Sequence, residues 1–125
     1  MTMGESGEMY LETLLMLSKK QEYVISNDLA VNMGFSRPSV SRAVKLLKQD
    51  KYIDVDADGH LTLTHSGLEI AEKIYERHTF LSTFIAKLGV DPQVAAEDAC
   101  KMEHVISDET FAALKRHIAD AEKKA

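Results

Sequence analysis

The stretch that decides the fold is Phe35–Thr64, which reads FSRPSVSRAVKLLKQDKYIDVDADGHLTLT. Its first half predicts a helix, because Ser36 is a favourable N-cap and Pro38 is tolerated in a first helical turn. Its second half alternates apolar and polar residues around Asp58-Gly59, a dipeptide typical of a tight β-hairpin turn. We therefore expect a helix followed by a two-stranded hairpin. The expected buried face of the helix comprises Val40, Ala43, Val44 and Leu47.

Two more helices are predicted before this stretch. One begins near Asn27 and ends at Gly34, since glycine favours the left-handed conformation that closes a helix. Two helices joined by a short turn around a glycine indicate a helix-turn-helix. The other is an amphipathic helix over Glu8–Ser18. Together with the hairpin, these elements predict a winged helix-turn-helix.

A long helix is predicted after the hairpin and ends at Gly89. Thr64 or Ser66 can cap its start, and Ser66 and Glu69 have the spacing of a capping box. We allow for a break in this helix near Thr79.

Two further helical runs complete the chain. The first covers residues 91–107, with Pro92 in its first turn. The second follows Ser107 or Asp108, either of which can cap it. The expected fold class is mainly α, with a β-hairpin wing.

Composition excludes several classes of protein. Of the 125 residues, 45% are apolar and 28% are charged, as in soluble globular domains. The chain has no apolar run approaching the roughly 20 residues that span a bilayer, and its acidic start lacks the apolar region of a signal peptide. We therefore expect a cytoplasmic protein without a membrane partner. Cys100 is the single cysteine, so an intrachain disulfide is excluded.

Basic side chains are concentrated in the second helix of the predicted helix-turn-helix. The segment 36–51 carries five Lys or Arg residues and one Asp, a local charge of +4 in a chain of net charge −5. The start of a recognition helix meets base edges, and hydroxyl and guanidinium groups suit bases and phosphates. We predict DNA binding; the alternatives are a solvated helix face and a protein contact. The predicted DNA-binding residues are Ser36, Arg37, Pro38, Ser39, Ser41, Arg42 and Lys45.

The stretch CKMEH, residues 100–104, brings three kinds of metal ligand close together. If it is helical, Cys100, Glu103 and His104 share one face, because helical neighbours lie three and four residues apart. Sulfur, carboxylate and imidazole donors suit a transition metal better than magnesium or calcium.

Other candidate ligands lie far away in the sequence. Met9 and Glu12 are three residues apart on the first helix, and His78 lies on the long helix. Taken singly, each of these residues more often has a structural role and binds no metal: the methionine fills a core, the glutamate is solvated and the histidine is hydrogen-bonded. Their combination with a winged helix favours a metal site.

Five motifs run along the chain: EMYLETLLML at 8–17, SRPSVSRAVKLL at 36–47, GHLTLTHSG at 59–67, ERH at 76–78 and DACKMEHVISDE at 98–109. In them the chain resembles the diphtheria-toxin-repressor and manganese-transport-regulator family of metal-dependent transcriptional repressors. The resemblance implies a winged-helix DNA-binding domain over residues 1–66 and a helical metal-binding and dimerisation domain over residues 67–125. Members with a further SH3-like domain are longer, and we expect that domain to be absent.

The resemblance also implies metal ligands. The family's primary iron site falls on Met9, Cys100, Glu103 and His104. The carboxylate at Glu12 resembles the manganese branch and the histidine at position 78 is shared by both branches, so these two can join Glu103 in a modified second site. The usual ancillary ligands are replaced by Ser82 and Ala96. The predicted ligands are Met9, Glu12, His78, Cys100, Glu103 and His104.

The donor set also bears on the identity of the metal. Thiolate and thioether favour Fe(II), with Mn(II) as the alternative, and Zn(II), Co(II) or Ni(II) are expected to substitute in vitro.

The implied function is transcriptional repression by a metal-loaded homodimer that binds palindromic operator DNA and controls metal homeostasis. We expect no enzymatic activity and no small organic substrate, since a Cys100 nucleophile with His104 as base would lack an oxyanion hole and a third orienting group. A second alternative is a winged-helix regulator that needs no metal and senses oxidants through Cys100. Apolar side chains on the long helix also favour a dimer: Phe80, Leu81, Phe84, Ile85 and Leu88.

Overall fold

The structure is a computed structural model that describes the backbone of residues 5–124 and the side chains of residues 6–122. Its elements follow the order α1 Glu5–Lys20, α2 Ser26–Met33, α3 Arg37–Gln49, β1 Ile53–Val55, β2 Leu61–Leu63, α4 His65–Lys87, α5 Pro92–Met102 and α6 Asp108–Lys124. The chain divides into two compact units, one ending at Tyr75 and the other beginning at Glu76. The mainly helical fold with a hairpin wing is the predicted one.

The predicted helix-turn-helix is confirmed by the conformations at its turn. Gly34 ends α2 with φ 71° in the left-handed region, and its N–H donates to the carbonyl of Ala30 at 3.0 Å. Ser36 caps α3, because its Oγ accepts from the N–H of Ser39 at 3.3 Å. Glycine and serine therefore have the local roles that their chemistry predicts.

The predicted hairpin is also confirmed. β1 and β2 are antiparallel, with Ile53 opposite Leu63 and Val55 opposite Leu61. In the turn, Asp56 Oδ1 accepts from the N–H of Asp58 at 2.9 Å and from that of His60 at 2.8 Å. These bonds, the one from His60 above all, lower the pKa of Asp56 from its usual value.

One apolar core holds the first unit together. Of the predicted α3 face, Val40, Val44 and Leu47 are buried and Ala43 is half-buried. The hairpin joins this core, because the N–H of Leu61 donates to the carbonyl of Val24 at 2.7 Å. The core residues are Tyr10, Leu11, Leu14, Leu15, Val24, Leu29, Ala30, Val40, Val44, Leu47, Ile53, Leu61 and Ala71.

The start and course of α4 correct two expectations. Thr64 is the cap, since its Oγ1 accepts from the N–H of Gly67 at 3.1 Å. The capping box of Ser66 and Glu69 is wrong, because Ser66 is already inside the helix and Glu69 pairs with His65 at 2.9 Å. The break near Thr79 is also wrong, because α4 runs without interruption from His65 to Lys87.

The second unit consists of the end of α4 with α5 and α6. Asp91 caps α5, and Ser107 caps α6 by accepting from the N–H of Thr110 at 3.0 Å. α5 ends at Met102, so the helix predicted over residues 91–107 stops early. The buried residues include Leu81, Ala95, Ala99 and Phe111.

The burial of Leu81 changes the expected dimer surface. Leu81 is fully buried within one chain, so it does not belong to that surface. Phe80 packs edge-on against Phe111 at 5.3 Å between ring centroids, whereas Leu88 is 68% exposed.

Among the described residues, no helix combines the length and the apolar composition that a membrane span needs.

Candidate metal centre and nucleic-acid interface

The end of α5 positions the candidate ligands of the second unit. Cys100 is half-buried in the last turn of the helix. Glu103 follows the helix with φ −60° and ψ −25°, and its N–H donates to the carbonyl of Ala99 at 2.9 Å. Glu103 therefore keeps a helical backbone conformation as the C-cap of α5, and His104 follows it in the turn. The expected single helical face for CKMEH thus applies to Cys100 and Glu103, while a turn presents His104.

One carboxylate lies between two imidazoles. His78 Nδ1 is 2.9 Å from Glu103 Oε2, and His104 Nε2 is 3.3 Å from Glu103 Oε1. The side chains of Glu103 and His104 are fully buried, and that of His78 is 28% exposed. Residues from α4, from the end of α5 and from the following turn therefore meet at a single buried carboxylate.

The spacing of these donors suits a divalent transition metal. Neighbouring ligands at bond lengths of about 2.1 Å are about 3.0 Å apart at a right angle and about 3.4 Å apart in a tetrahedron. The two imidazole–carboxylate separations lie at these values. Burying a carboxylate is costly unless charge or hydrogen bonds compensate it. His78, Glu103 and His104 therefore have donor types that suit a transition metal, and each imidazole–carboxylate pair has a separation that two ligands of one metal can have.

Two predicted ligands belong to the first unit. Met9 and Glu12 are both on α1, three residues apart, so they face the same side of the helix. Met9 is half-buried, and Glu12 is only 7% exposed. A buried carboxylate is uncommon and needs a partner or a cation.

The usual ancillary positions offer little to a metal. Ala96 has no donor atom, and Ser82 has a hydroxyl that is a poor substitute for a carboxylate. Within the described residues, the buried Oγ of Ser82 has no hydrogen-bond partner.

The first turns of α3 form a polar, basic surface. Ser36 Oγ and Ser39 Oγ are 2.9 Å apart, and Arg42 Nη2 donates to Ser39 Oγ at 3.4 Å. Burial raises the pKa of Tyr10, and the nearby Arg42 opposes that rise. Pro38, Ser41 and Lys45 are exposed on the same helix.

A surface cleft places two residues that sequence reasoning did not single out beside the predicted DNA-binding residues. It has a volume of about 420 Å³ and is lined by Arg37 and Ser41 from α3 and by Ser26 and Asn27 from α2. The first turn of α2 also contains Asp28, whose carboxylate accepts from the N–H of Ile25 at 2.9 Å. The predicted start of that helix near Asn27 was the signal that could have identified them.

The hairpin turn holds a second acidic group. Ligand atoms of Asp56, Asp58 and His60 lie within 4.8 Å of one another, on an exposed turn. His60 Nδ1 is 3.1 Å from Asp56 Oδ2, and its ring stacks on Tyr23 at 4.2 Å between centroids. These contacts already account for the arrangement of the turn.

Comparisons with known proteins match both parts of the chain. The family model described as iron dependent repressor, N-terminal DNA binding domain, matches residues 2–61. The model described as iron dependent repressor, metal binding and dimerisation domain, matches residues 64–124.

Relatives and a solved structure agree with these models. An uncharacterised HTH-type transcriptional regulator of Methanocaldococcus jannaschii is 34% identical over 115 residues, 90% of this chain and 92% of that one. The transcriptional regulator MntR of Escherichia coli O6:H1 is 32% identical over 106 residues, 85% of this chain and 68% of MntR. The structure of the manganese regulator SloR has a TM-score of 0.80 and 28% identity, over 95% of this chain and 55% of that one. This chain thus spans about 55% of the SloR chain. The chain belongs to the iron-dependent repressor family, and it is a metal-dependent transcriptional regulator of the diphtheria-toxin-repressor and manganese-transport-regulator type.

Proposed function

We propose that the chain is a repressor that binds palindromic operator DNA as a homodimer when it is loaded with Fe(II), with Mn(II) as the alternative metal. The observation that carries this proposal is the buried carboxylate of Glu103 between the imidazoles of His78 and His104. Such a cluster is a poor apolar core and a good cation site. A basic, hydroxyl-rich α3 on an acidic chain supports DNA as the second partner.

The proposed ligands divide between the two units. From the second unit, Cys100, Glu103 and His104 donate, and His78 donates to the same metal or to a second one that shares Glu103. From α1, Met9 and Glu12 complete the coordination. The low exposure of Glu12 supports this assignment, because a carboxylate withdrawn from water requires compensation.

The donor types bear on the choice of metal. The thiolate of Cys100 and the thioether of Met9 favour Fe(II) over Mn(II), while Glu12 adds a hard oxygen ligand suited to Mn(II). Later first-row metals bind such donors at least as tightly, so selectivity in the cell depends on geometry and on metal availability.

The proposed coupling between metal binding and DNA binding depends on which unit contributes each ligand. A divalent cation bound by these side chains would supply positive charge that offsets the cost of burying the Glu12 and Glu103 carboxylates. Met9 and Glu12 belong to the helix that packs against the DNA-binding core, whereas Cys100, Glu103 and His104 belong to the other unit. Operator affinity can change only if these side chains bind metal better in the DNA-binding conformation than in other conformations.

Two-fold symmetry links the dimer to the palindrome. A symmetric dimer presents two α3 helices to two half-sites about one helical turn of DNA apart. The exposed Leu88 and the partly exposed Phe84 and Ile85 on α4 support a contact between two copies. Sedimentation with metal present tests this part of the proposal.

The decisive experiment measures DNA binding with Fe²⁺, with Mn²⁺ and without metal, under anaerobic conditions. The probe is a duplex selected from a random-sequence pool by the Mn²⁺-loaded parent protein. We expect metal to strengthen binding to this duplex more than binding to a shuffled duplex. Equal binding with and without metal would contradict the proposal and favour a regulator that needs no metal.

Substitution of Cys100 tests the metal preference. Cys100→Glu replaces a soft sulfur with a hard oxygen, so the metal concentration for half-maximal DNA binding should fall for Mn²⁺ relative to Fe²⁺. Cys100→Ala should weaken the response to both metals while the helical circular dichroism is unchanged. Because a thiolate ligand must lose its proton, the parent's metal affinity should fall with decreasing pH more steeply than that of Cys100→Ala. An unchanged metal response in Cys100→Ala would remove the thiol from the ligand set.

Arg37 and Arg42 should have different effects on DNA binding. Arg37 lines the cleft beside the start of α2, so Arg37→Ala should weaken selected and shuffled duplexes alike and lower the salt slope by about 1. Arg42 lies one turn further along α3, and Arg42→Ala should cost about 1–3 kcal/mol on the selected duplex and relax base preference. Lys20→Ala, a cation outside the helix-turn-helix, is the control. Parent-like binding by both variants would contradict this orientation of α3.

A further inference from the structure

The ERH motif contains a buried arginine that the metal site does not use directly. Arg77 precedes His78 on α4 and is 6% exposed. A buried guanidinium is costly unless its donors are paired, so its partners indicate its role. All the partners described below lie in the second unit.

The guanidinium of Arg77 joins the end of α5 to the start of α6. Nη1 donates to the carbonyl of Glu103 at 3.1 Å and to the carbonyl of Ile106 at 2.8 Å. Nη2 forms an ion pair with Asp108 Oδ1. The guanidinium carbon also lies 5.4 Å from the centre of the Phe111 ring.

The Glu103 carbonyl lies directly after the end of α5. The last carbonyls of a helix have no partner in the helix, and they form the negative end of its dipole. A planar guanidinium can bridge this carbonyl, the Ile106 carbonyl in the connection to α6 and a carboxylate at once, which a lysine ammonium on a flexible stem cannot do with the same geometry. Arg77 therefore fixes the main chain of residues 103–106.

The same glutamate is held at both its main chain and its side chain. Arg77 holds the carbonyl of Glu103, while the next residue on α4, His78, contacts its Oε2. His104, which contacts Oε1, follows in the segment that Arg77 clamps. Adjacent residues on α4 thus determine where the carboxylate lies and how the turn beyond it runs.

We propose that Arg77 is a positioning residue that preorganises Glu103 and His104 for metal by clamping the turn between α5 and α6. It donates no ligand atom itself. Its contribution is to keep the Glu103 carboxylate and the His104 imidazole at ligand spacing before metal arrives. This inference rests on the proposed function, because it presumes that these side chains bind metal.

The experiment measures Co²⁺ binding by visible absorption, without DNA, for the parent and for Arg77→Lys. Residues that orient metal ligands typically alter affinity by about 10- to 100-fold. We expect Arg77→Lys to weaken Co²⁺ binding by that factor and to change the ligand-field bands. Circular dichroism and the melting temperature of the metal-free protein report separately on folding.

Two further variants separate positioning from general stability. Lys115→Met removes an exposed pair between α6 and Glu76 of α4 and a contact with Phe111, but it leaves the Glu103 carbonyl untouched. It should keep the parent's affinity and spectrum. Asp108→Asn should weaken Co²⁺ binding in the same direction as Arg77→Lys but by less, since both carbonyl bonds remain; it supplies the test if Arg77→Lys does not fold.

The outcomes are distinct. If the parent binds Co²⁺ and the folded Arg77→Lys and Asp108→Asn proteins bind it with unchanged affinity and spectrum, Arg77 has no positioning role. An equal loss of Co²⁺ affinity in Lys115→Met would also overturn the inference, since the loss of any contact between these helices would then weaken metal binding. Failure of the parent to bind Co²⁺ would overturn the proposed function and this inference together.

Discussion

Glu103→Gln should abolish the metal response. Glutamine keeps the shape of the side chain but removes the charge that lies between His78 and His104. Orienting residues alone change metal affinity by up to about 100-fold, so we expect loss of a shared ligand to exceed that factor. The measurement is a Co²⁺ titration, followed by Mn²⁺-dependent binding to the selected duplex. Metal affinity and metal-dependent DNA binding should fall together, because both depend on the same carboxylate.

The matched control for this variant is Glu97→Gln. Glu97 lies on α5, the helix that Glu103 directly follows, has the same chemistry and is exposed. It should retain the parent's metal affinity and DNA response. If Glu103→Gln and Glu97→Gln bind metal equally well, the buried cluster is a packed polar core and not a metal centre.

Gly67→Ala should destabilise the first unit severely, although the same change normally stabilises a helix by about 1 kcal/mol. A Cβ at this position would lie 2.0 Å from the carbonyl oxygen of Tyr52. That oxygen accepts from the N–H of Thr64 at 3.1 Å, so moving it disturbs the connection between the hairpin and α4. We expect a loss of about 3 kcal/mol or more, at the upper end for an overpacked site.

Urea unfolding followed by circular dichroism measures this effect. Ser66→Ala is the control, because Ser66 is the exposed neighbour in the same helical turn. Its change should remain within about 0.5 kcal/mol, as for most surface substitutions. If the Gly67→Ala protein is as stable as the Ser66→Ala protein, the main chain at Tyr52 moves at little cost in free energy, and the prediction is wrong.

The elements of the DNA-binding unit were predictable because their signals are local. The ends of α2 and α3 depend on Gly34 and Ser36, whose conformational preferences act within one turn. Lys51 shows where this reasoning fails. It adopts φ 64°, and its N–H donates to the carbonyl of Lys48 at 3.1 Å to close α3. Lysine has no preference for the left-handed conformation, so the sequence does not indicate it at this position.

The candidate metal centre was predictable in its residue types but not in its geometry. The motif CKMEH names donors, and the family resemblance adds those distant in sequence. Neither shows that α5 ends before Glu103 or that each carboxylate oxygen faces a different imidazole. The role of Arg77 was missed because its acceptors are main-chain carbonyls 26 and 29 residues away, which have no signature in sequence.

The charges of the first unit are segregated between two adjacent elements. α3 exposes Arg37, Arg42, Lys45 and Lys48, whereas the hairpin exposes Asp54, Asp56 and Asp58. The field of a polyanion therefore exerts a torque on this unit, which pulls α3 inward and pushes the hairpin outward, before any contact forms. At physiological ionic strength this guidance extends only about 8 Å, the Debye length. Within this distance, an acidic chain can thus approach DNA with α3 oriented towards the duplex.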